Sequence, residues 1–180
     1  MPAKIILLLI TISILGGIIF YSQQKIGSKG TNLVTPSAPA SYDLTQNGIN
    51  TDKWKTYQGQ HFSYKYPPNW TPTHKNLNDS QANELFDLGI PGIETYSQQI
   101  GVQNGAFDNL LPENVILTNS IIISDKNGLK WQRKGGSYFA YDYFCPYTDQ
   151  NNFGISVTLP AINTSLEKTL DAVANSVILQ

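Results

Sequence analysis

The chain has 180 residues, a formal net charge of -1 and only 14% charged residues, with Arg133 as its sole arginine. That balance lacks the basic excess a phosphate backbone demands, so nucleic acid is not an expected partner. The single cysteine, Cys145, excludes an internal disulfide and any multi-cysteine metal cluster, leaving a packed core as the source of stability.

The N-terminus, MPAKIILLLITISILGGIIFYSQQK, carries one lysine and then runs from Ile5 to Tyr21 without a charge. As a helix this run is roughly 25 Å long at ~1.5 Å per residue, at the short end of what crosses a ~30 Å hydrocarbon core. A cleaved signal peptide is the competing reading. Phe20-Tyr21-Ser22 is a poor small-x-small site, however, and Ala38-Pro39-Ala40 lies far beyond the apolar run. No cysteine follows the run to take a lipid, and no Glu stands inside it to match a prepilin leader. Residues 1–21 are therefore expected to form a single uncleaved transmembrane helix. Lys4 is balanced by Lys25 and Lys29 across the run, so charge alone leaves the orientation open. The default for one anchor ahead of a polar domain without paired cysteines puts the domain outside the cytoplasm.

Residues 22–51, as in SKGTNLVTPSAPAS, show no helix or strand period and are expected to be a flexible polar linker. A coil of that length has a root-mean-square span of roughly 30 Å, enough to hold a globule clear of lipid headgroups. Residues 52–180 contain no repeat and are long enough for one core that buries ~68% of the unfolded surface.

In this domain a strand is expected over Trp54–Tyr57. FSYKY then alternates Phe62, Tyr64 and Tyr66 against Ser63 and Lys65, the pattern of a half-buried strand. Pro67 and Pro68 must end that strand, and Asn69 turns the chain so that Trp70 folds back over the same aromatic face. A strand over Trp70–His74, a helix over Ser80–Leu88 ended by Gly89 with Leu85 and Leu88 inward, and a strand over Thr95–Gln103 follow. AFDNLLPEN suggests a short helical turn. Asn127-Gly128, set between an Ile-rich and a Trp-centred run, predicts a hairpin turn because both residues tolerate positive φ. SYFAYDYFCPY has aromatics at both parities and is expected to be a central strand covered on both faces. TDQNN turns into the alternating strand FGISVTL. In NTSLEKTLDAVANSVIL, Thr164 and Glu167 form a capping box, and Leu166, Leu170, Val173 and Val177 make one apolar stripe. The expected class is α+β, a mostly antiparallel sheet flanked by helices.

The run Trp54-x-x-Tyr57 followed by Phe62-Ser63-Tyr64-Lys65-Tyr66-Pro67-Pro68-Asn69-Trp70 resembles the opening of PsbP-like domains, in which an aromatic strand runs into Tyr-Pro-x-x-Trp, often with a C-terminal helix such as LEKTLDAVANSVIL. The resemblance covers Trp54 to Gln180. It implies an α/β/α sandwich of the PsbP/Mog1 type. Photosynthetic members are extrinsic photosystem II subunits or assembly factors, and many anchored bacterial relatives have no assigned role. No position here corresponds to a metal or partner residue of the family.

Catalytic signatures such as a Gly-x-Ser-x-Gly elbow, a phosphate-binding loop or a dinucleotide fingerprint are missing, and no cofactor motif appears. Asp142 sits between Tyr141 and Tyr143 in a strand expected to be covered, so its carboxylate needs a partner, with Arg133 or Lys134 in reach from the preceding strand. A ligand-orienting acid is the alternative use of Asp142. His61 and His74 are polar-site candidates but have no metal-ligand spacing. The expected function is a non-catalytic, membrane-tethered extracytoplasmic module that binds or helps assemble an envelope component through exposed edges and loops such as PGIETYSQQ (91–99). The alternative is a cryptic hydrolase or thiol enzyme pairing Cys145 with a histidine.

Overall fold

The computed structural model describes residues 40–43, 45, 48–75, 82–104 and 114–180. The predicted anchor, most of the predicted linker and nearly all of AFDNLLPEN lie outside them. Among the described residues no helix is long and apolar enough to cross a membrane.

The strands are β1 (Ala40–Ser41), β2 (Lys55–Gln58), β3 (Phe62–Tyr66), β4 (Thr73–His74), β5 (Ala82–Asp87), β6 (Ser97–Asn104), β7 (Val115–Ile123), β8 (Lys126–Lys134), β9 (Phe139–Pro146) and β10 (Asn151–Leu159), followed by helix α1 (Thr164–Asn175) and β11 (Ile178–Leu179). Among the described residues they build an eight-stranded sheet of order β1-β7-β8-β9-β10-β6-β5-β4 and a three-stranded sheet of order β11-β3-β2. Every pairing is antiparallel except β1 with β7.

Register explains the core. Asn119, Lys130, Tyr143, Ile155, Ile100, Phe86 and His74 lie in one row across the large sheet. Side chains of such a row share a face. Phe139, Tyr141, Tyr143 and Cys145 of β9 alternate inward with Phe153, Ile155, Val157 and Leu159 of β10, all buried. One half of this face is covered by Leu166, Leu170 and Val173 of α1, the other by the small sheet, where Phe62 meets Phe153 at 5.3 Å and Tyr57 meets Phe86 at 4.5 Å between ring centroids. The expected plural helices of a sandwich are thus replaced, among the described residues, by one helix and a second sheet. The antiparallel α+β class stands.

The proline corner forms as expected. The Trp70 N–H donates to the Pro67 carbonyl at 3.0 Å, and Trp70 is buried in the cluster that holds Phe62 and Tyr64. Four local expectations need correction. The β7–β8 turn is Ser124-Asp125, at φ 47° and 64°, while Asn127 and Gly128 lie inside β8. Gly128 is required there for another reason, since an added Cβ would stand 2.3 Å from the Phe144 carbonyl oxygen of the neighbouring strand. Residues 82–87 form strand β5 rather than a helix: Glu84 faces Val102 and Phe86 faces Ile100, and pairing to both neighbours outweighs the helical spacing of Leu85 and Leu88. The N-cap of α1 is Asn163, whose side chain accepts from the Leu166 N–H at 2.9 Å, so Thr164 is the first helical residue and Glu167 is released from capping. Finally, Val177 lies beyond the helix, where the chain straightens into β11 and pairs with β3.

The large sheet begins inside the stretch expected to be linker. Ala40 and Ser41 pair in parallel with Asn119 and Ser120, and the Tyr42 N–H donates to the Ser120 carbonyl at 2.8 Å. Two residues are too few to leave a periodic signal in the sequence.

Candidate functional site

Arg133 and Asp142 come together as an ion pair. The cross-strand neighbour of Asp142 is Trp131 on β8 and Ser156 on β10, so Arg133 reaches it on the diagonal. Arg133 Nε donates to Asp142 Oδ2 at 2.5 Å, Nη2 donates to Oδ1 at 3.0 Å, and the Ser156 hydroxyl donates to Oδ1 at 2.6 Å. The hydrogen bonds to Asp142 raise the guanidinium pKa further above its ordinary value. Both carboxylate oxygens are engaged by the protein itself, which is the structural pairing the buried acid requires. Lys134, the other predicted partner, instead donates its backbone N–H to the Asn114 carbonyl.

His61 and His74 have separate surroundings. His61 Nδ1 lies 3.4 Å from the Tyr147 hydroxyl, while its backbone N–H donates to Glu84 Oε2 at 2.9 Å. His74 is exposed on the edge strand β4, its ring edge-on to Phe86 at 5.0 Å. Neither pairs with Cys145. Strand parity sends the cysteine inward with Tyr143, where it is fully buried and its thiol is pushed up to about 12 by burial. The expected thiol–imidazole alternative therefore has no geometry to support it. Among the described residues no group of three or more His, Cys, Asp or Glu side chains is placed to hold a metal ion.

Two polar clusters were not anticipated. In the first, Lys130 is 1% exposed, with Nζ 2.7 Å from Glu167 Oε1 and 2.8 Å from Asp171 Oδ1. Tyr143 donates to the same Asp171 oxygen at 2.7 Å, Tyr42 donates to Oδ2 at 2.8 Å, and the Tyr42 ring covers the ammonium at 4.1 Å. Burial lowers the pKa of Lys130, but hydrogen bonds to Asp171 and Glu167 outweigh it, so the net shift is upward. Burial, then the Asp171 charge, holds Tyr143 well above its ordinary value. The sequence sign is Glu167 and Asp171, four apart on α1 and beside its apolar stripe. In the second cluster Glu84 accepts from the Tyr57 hydroxyl at 2.5 Å and from the Gln60 and His61 backbone N–H groups at 3.2 and 2.9 Å. This clasps the β2–β3 turn onto the large sheet. Gly59 fits that turn because a Cβ would stand 2.2 Å from Glu84 Oε1.

Exposed apolar side chains gather elsewhere. Ile116, Leu117 and Ile122 of β7 are 56%, 42% and 55% exposed, and Ile162, in the β10–α1 loop, is 60% exposed. Ile116 and Ile162 flank a recess of about 390 Å³, also lined by Tyr138, Phe139, Pro160 and Ala161. Of the stretch PGIETYSQQ, Ser97–Gln99 belongs to β6, which is paired on both sides and offers no edge. Tyr96 beside it is exposed.

No protein-family model matches the sequence. No curated protein matches it. In structure the chain is similar to cyanobacterial PsbP (CyanoP) from Synechocystis sp. PCC 6803, at 11% identity and a TM-score of 0.49, over 74% of this chain and 96% of that one. It is also similar to a protein from Bacteroides thetaiotaomicron VPI-5482, at 17% identity and a TM-score of 0.44 over 70% of this chain. The match spans about half of that protein, 48% of its length.

Proposed function

We propose that this protein is a non-catalytic, membrane-tethered extracytoplasmic module, akin to PsbP-related proteins, that binds or helps assemble another envelope component. The observation that carries this reading is how the side chains are divided. The buried charges Lys130, Asp171, Asp142 and Glu84 are consumed by contacts inside the fold, whereas large apolar side chains stand in solvent along β7 and beside the recess at Ile162. Apolar groups gathered in this way suit recognition of a partner better than turnover of a substrate. The tether comes from the uncharged run at Ile5–Tyr21 and the polar stretch behind it.

Site-specific photocrosslinking from Ala161, exposed beside Ile162 on the same recess, in native membranes tests the binding role. A reproducible adduct with an envelope protein is expected, and its loss on Ile162→Lys. Adducts with bulk protein alone overturn the reading. Topology is tested separately with alkaline-phosphatase fusions after Lys29. These should be active, and inactive fusions alongside working cytoplasmic reporters reverse the orientation.

A further inference from the structure

We propose that the outer edge of β7 is a self-association site, at which a second copy of this chain adds its own β7 in antiparallel orientation about Asn119, displacing the β1 strap. The proposal goes beyond the binding role above and does not rest on it. It starts from an imbalance along one edge. β7 has nine residues, and on its outer side only Asn119 and Ser120 have a strand partner among the described residues. That partner, β1, is the one parallel strand of the sheet, two residues long, in the orientation that pairs slightly less stably per residue.

Edges left open in this way normally carry lysine, proline or inward charges that prevent pairing with another chain. β7 reads VILTNSIII, with no charge and no proline, and its β-bulge lies at one end, between Val115 and Leu117, leaving Leu117 to Ile123 in unbroken register with β8. Its solvent-facing side chains are instead Ile116, Leu117 and Ile122.

The choice of a second copy rests on the order of residues in β7. The strand is apolar for three residues, polar for three and apolar for three, so that it repeats itself when reversed about Asn119. Antiparallel pairing on a two-fold axis through that residue sets Thr118 against Ser120 of the partner copy, Leu117 against Ile121, and Ile116 against Ile122. Hydroxyls then face hydroxyls and aliphatic groups face aliphatic groups, with no like charges opposed, which is the self-complementarity that an isologous contact requires. A contact one strand wide falls in the small, weak class of interfaces, so dimerisation is expected to depend on concentration.

β1 sits at the centre of this symmetric strand. Its hold on the domain is reinforced just beyond the strand by Tyr42, through the N–H donated to Ser120, the hydroxyl donated to Asp171 and the ring over Lys130. The strap therefore occupies the positions nearest the proposed axis and competes with the incoming strand. Removing the Tyr42 side chain should weaken the competitor while leaving β7 intact.

The test is sedimentation velocity on the full chain in detergent over a hundredfold range of concentration. The wild type is expected to pass from one to two copies per particle, Ile122→Lys to remain single throughout, and Tyr42→Ala to reach its midpoint at least tenfold lower in concentration. Circular dichroism establishes that each variant is folded, and Ile116→Lys replaces Ile122→Lys if the latter is not. Register is read by oxidation: Thr118→Cys mixed with Ser120→Cys should form the intermolecular disulfide faster than either variant alone, with the native Cys145 buried and out of reach. Single copies at every concentration overturn the proposal. So does a dimer indifferent to Ile122→Lys, which places association elsewhere in the chain, and so does a heterologous protein captured through this edge while the chain itself stays single. Equal crosslinking in the mixed and unmixed samples overturns the register.

Discussion

Lys130, in the middle of β8, and Asp171, on the inward side of α1, meet at 2.8 Å with almost no exposure of either side chain. Together with Glu167 and the hydroxyls of Tyr42 and Tyr143, they form a polar clasp that fastens the helix to the sheet beside the apolar core. Replacing Lys130 leaves the buried Asp171 with two tyrosine hydroxyls but no cation, and removing one partner of a buried ion pair costs about 3–5 kcal/mol. Lys130→Met is expected to lower the free energy of unfolding by about that much, measured by urea titration, whereas Lys53→Met, at an exposed lysine, should change it by no more than ~0.5 kcal/mol.

Alkali should destabilise the protein from the thiol and phenol side. Cys145 is pushed from 9.0 to about 12 by burial, Tyr141 from 10.0 to about 12 by burial against the lowering hydrogen bond from Asn163, and Tyr57, Tyr64 and Tyr143 are displaced in the same direction. The folded chain keeps these protons where the unfolded chain releases them. Their stabilising contribution is therefore complete below the unfolded values and is lost as pH rises through the folded ones. The urea midpoint is expected to fall above about pH 9, and Cys145→Ala should move the onset toward pH 10. A midpoint that rises over this range contradicts the assignment.

A thiol that is buried and protonated is a poor nucleophile. Dithionitrobenzoate at pH 8 should leave Cys145 unmodified in the folded protein and titrate one thiol in urea. Reaction of the native protein at the rate of a free thiol would place the sulfur at the surface and reopen the thiol-enzyme reading.

Tyr64 and Tyr143 are both buried tyrosines but differ in their hydroxyls. That of Tyr64 has no hydrogen-bond partner among the described residues, whereas that of Tyr143 donates to Asp171. An unsatisfied buried hydroxyl costs about 1–3 kcal/mol, and a bond to a charged group contributes about 1.5–3 kcal/mol. Tyr64→Phe is thus expected to be neutral or to stabilise by about 1 kcal/mol, and Tyr143→Phe to destabilise by about 2 kcal/mol. Thermal melts of the two variants should move in opposite directions, or only the second should move.

The sequence made β3, β9, β10 and the proline corner legible because their alternation and their aromatic content agree. It also exposed the need of Asp142 for a basic partner, since an acid between two buried tyrosines has few ways to be satisfied, but left Arg133 and Lys134 as equal candidates where the structure uses Arg133. It misled where a local signal met a tertiary constraint. Gly128 resembled a turn residue but is there for the approach of the Phe144 carbonyl, while Ser124 and Asp125 adopt left-handed angles with no glycine to mark them. β5 was obscured by Glu84, a charge at an inward position that breaks the apolar alternation until its clasp with Tyr57 is seen. Lys130 and Asp171 were hidden for the same reason, because a lysine in a strand and an aspartate in a helix usually point to water.

Ser176 caps α1 and also accepts from the Lys65 N–H at 2.8 Å, a contact between residues 111 positions apart, and β11 then completes the small sheet beside β3. During synthesis, the flank of β3 that awaits β11 stays bare until Ile178 and Leu179 have emerged. Nascent molecules are accordingly expected to engage holding chaperones through the FSYKY segment, and a stall placed before Ser176 should prolong that engagement.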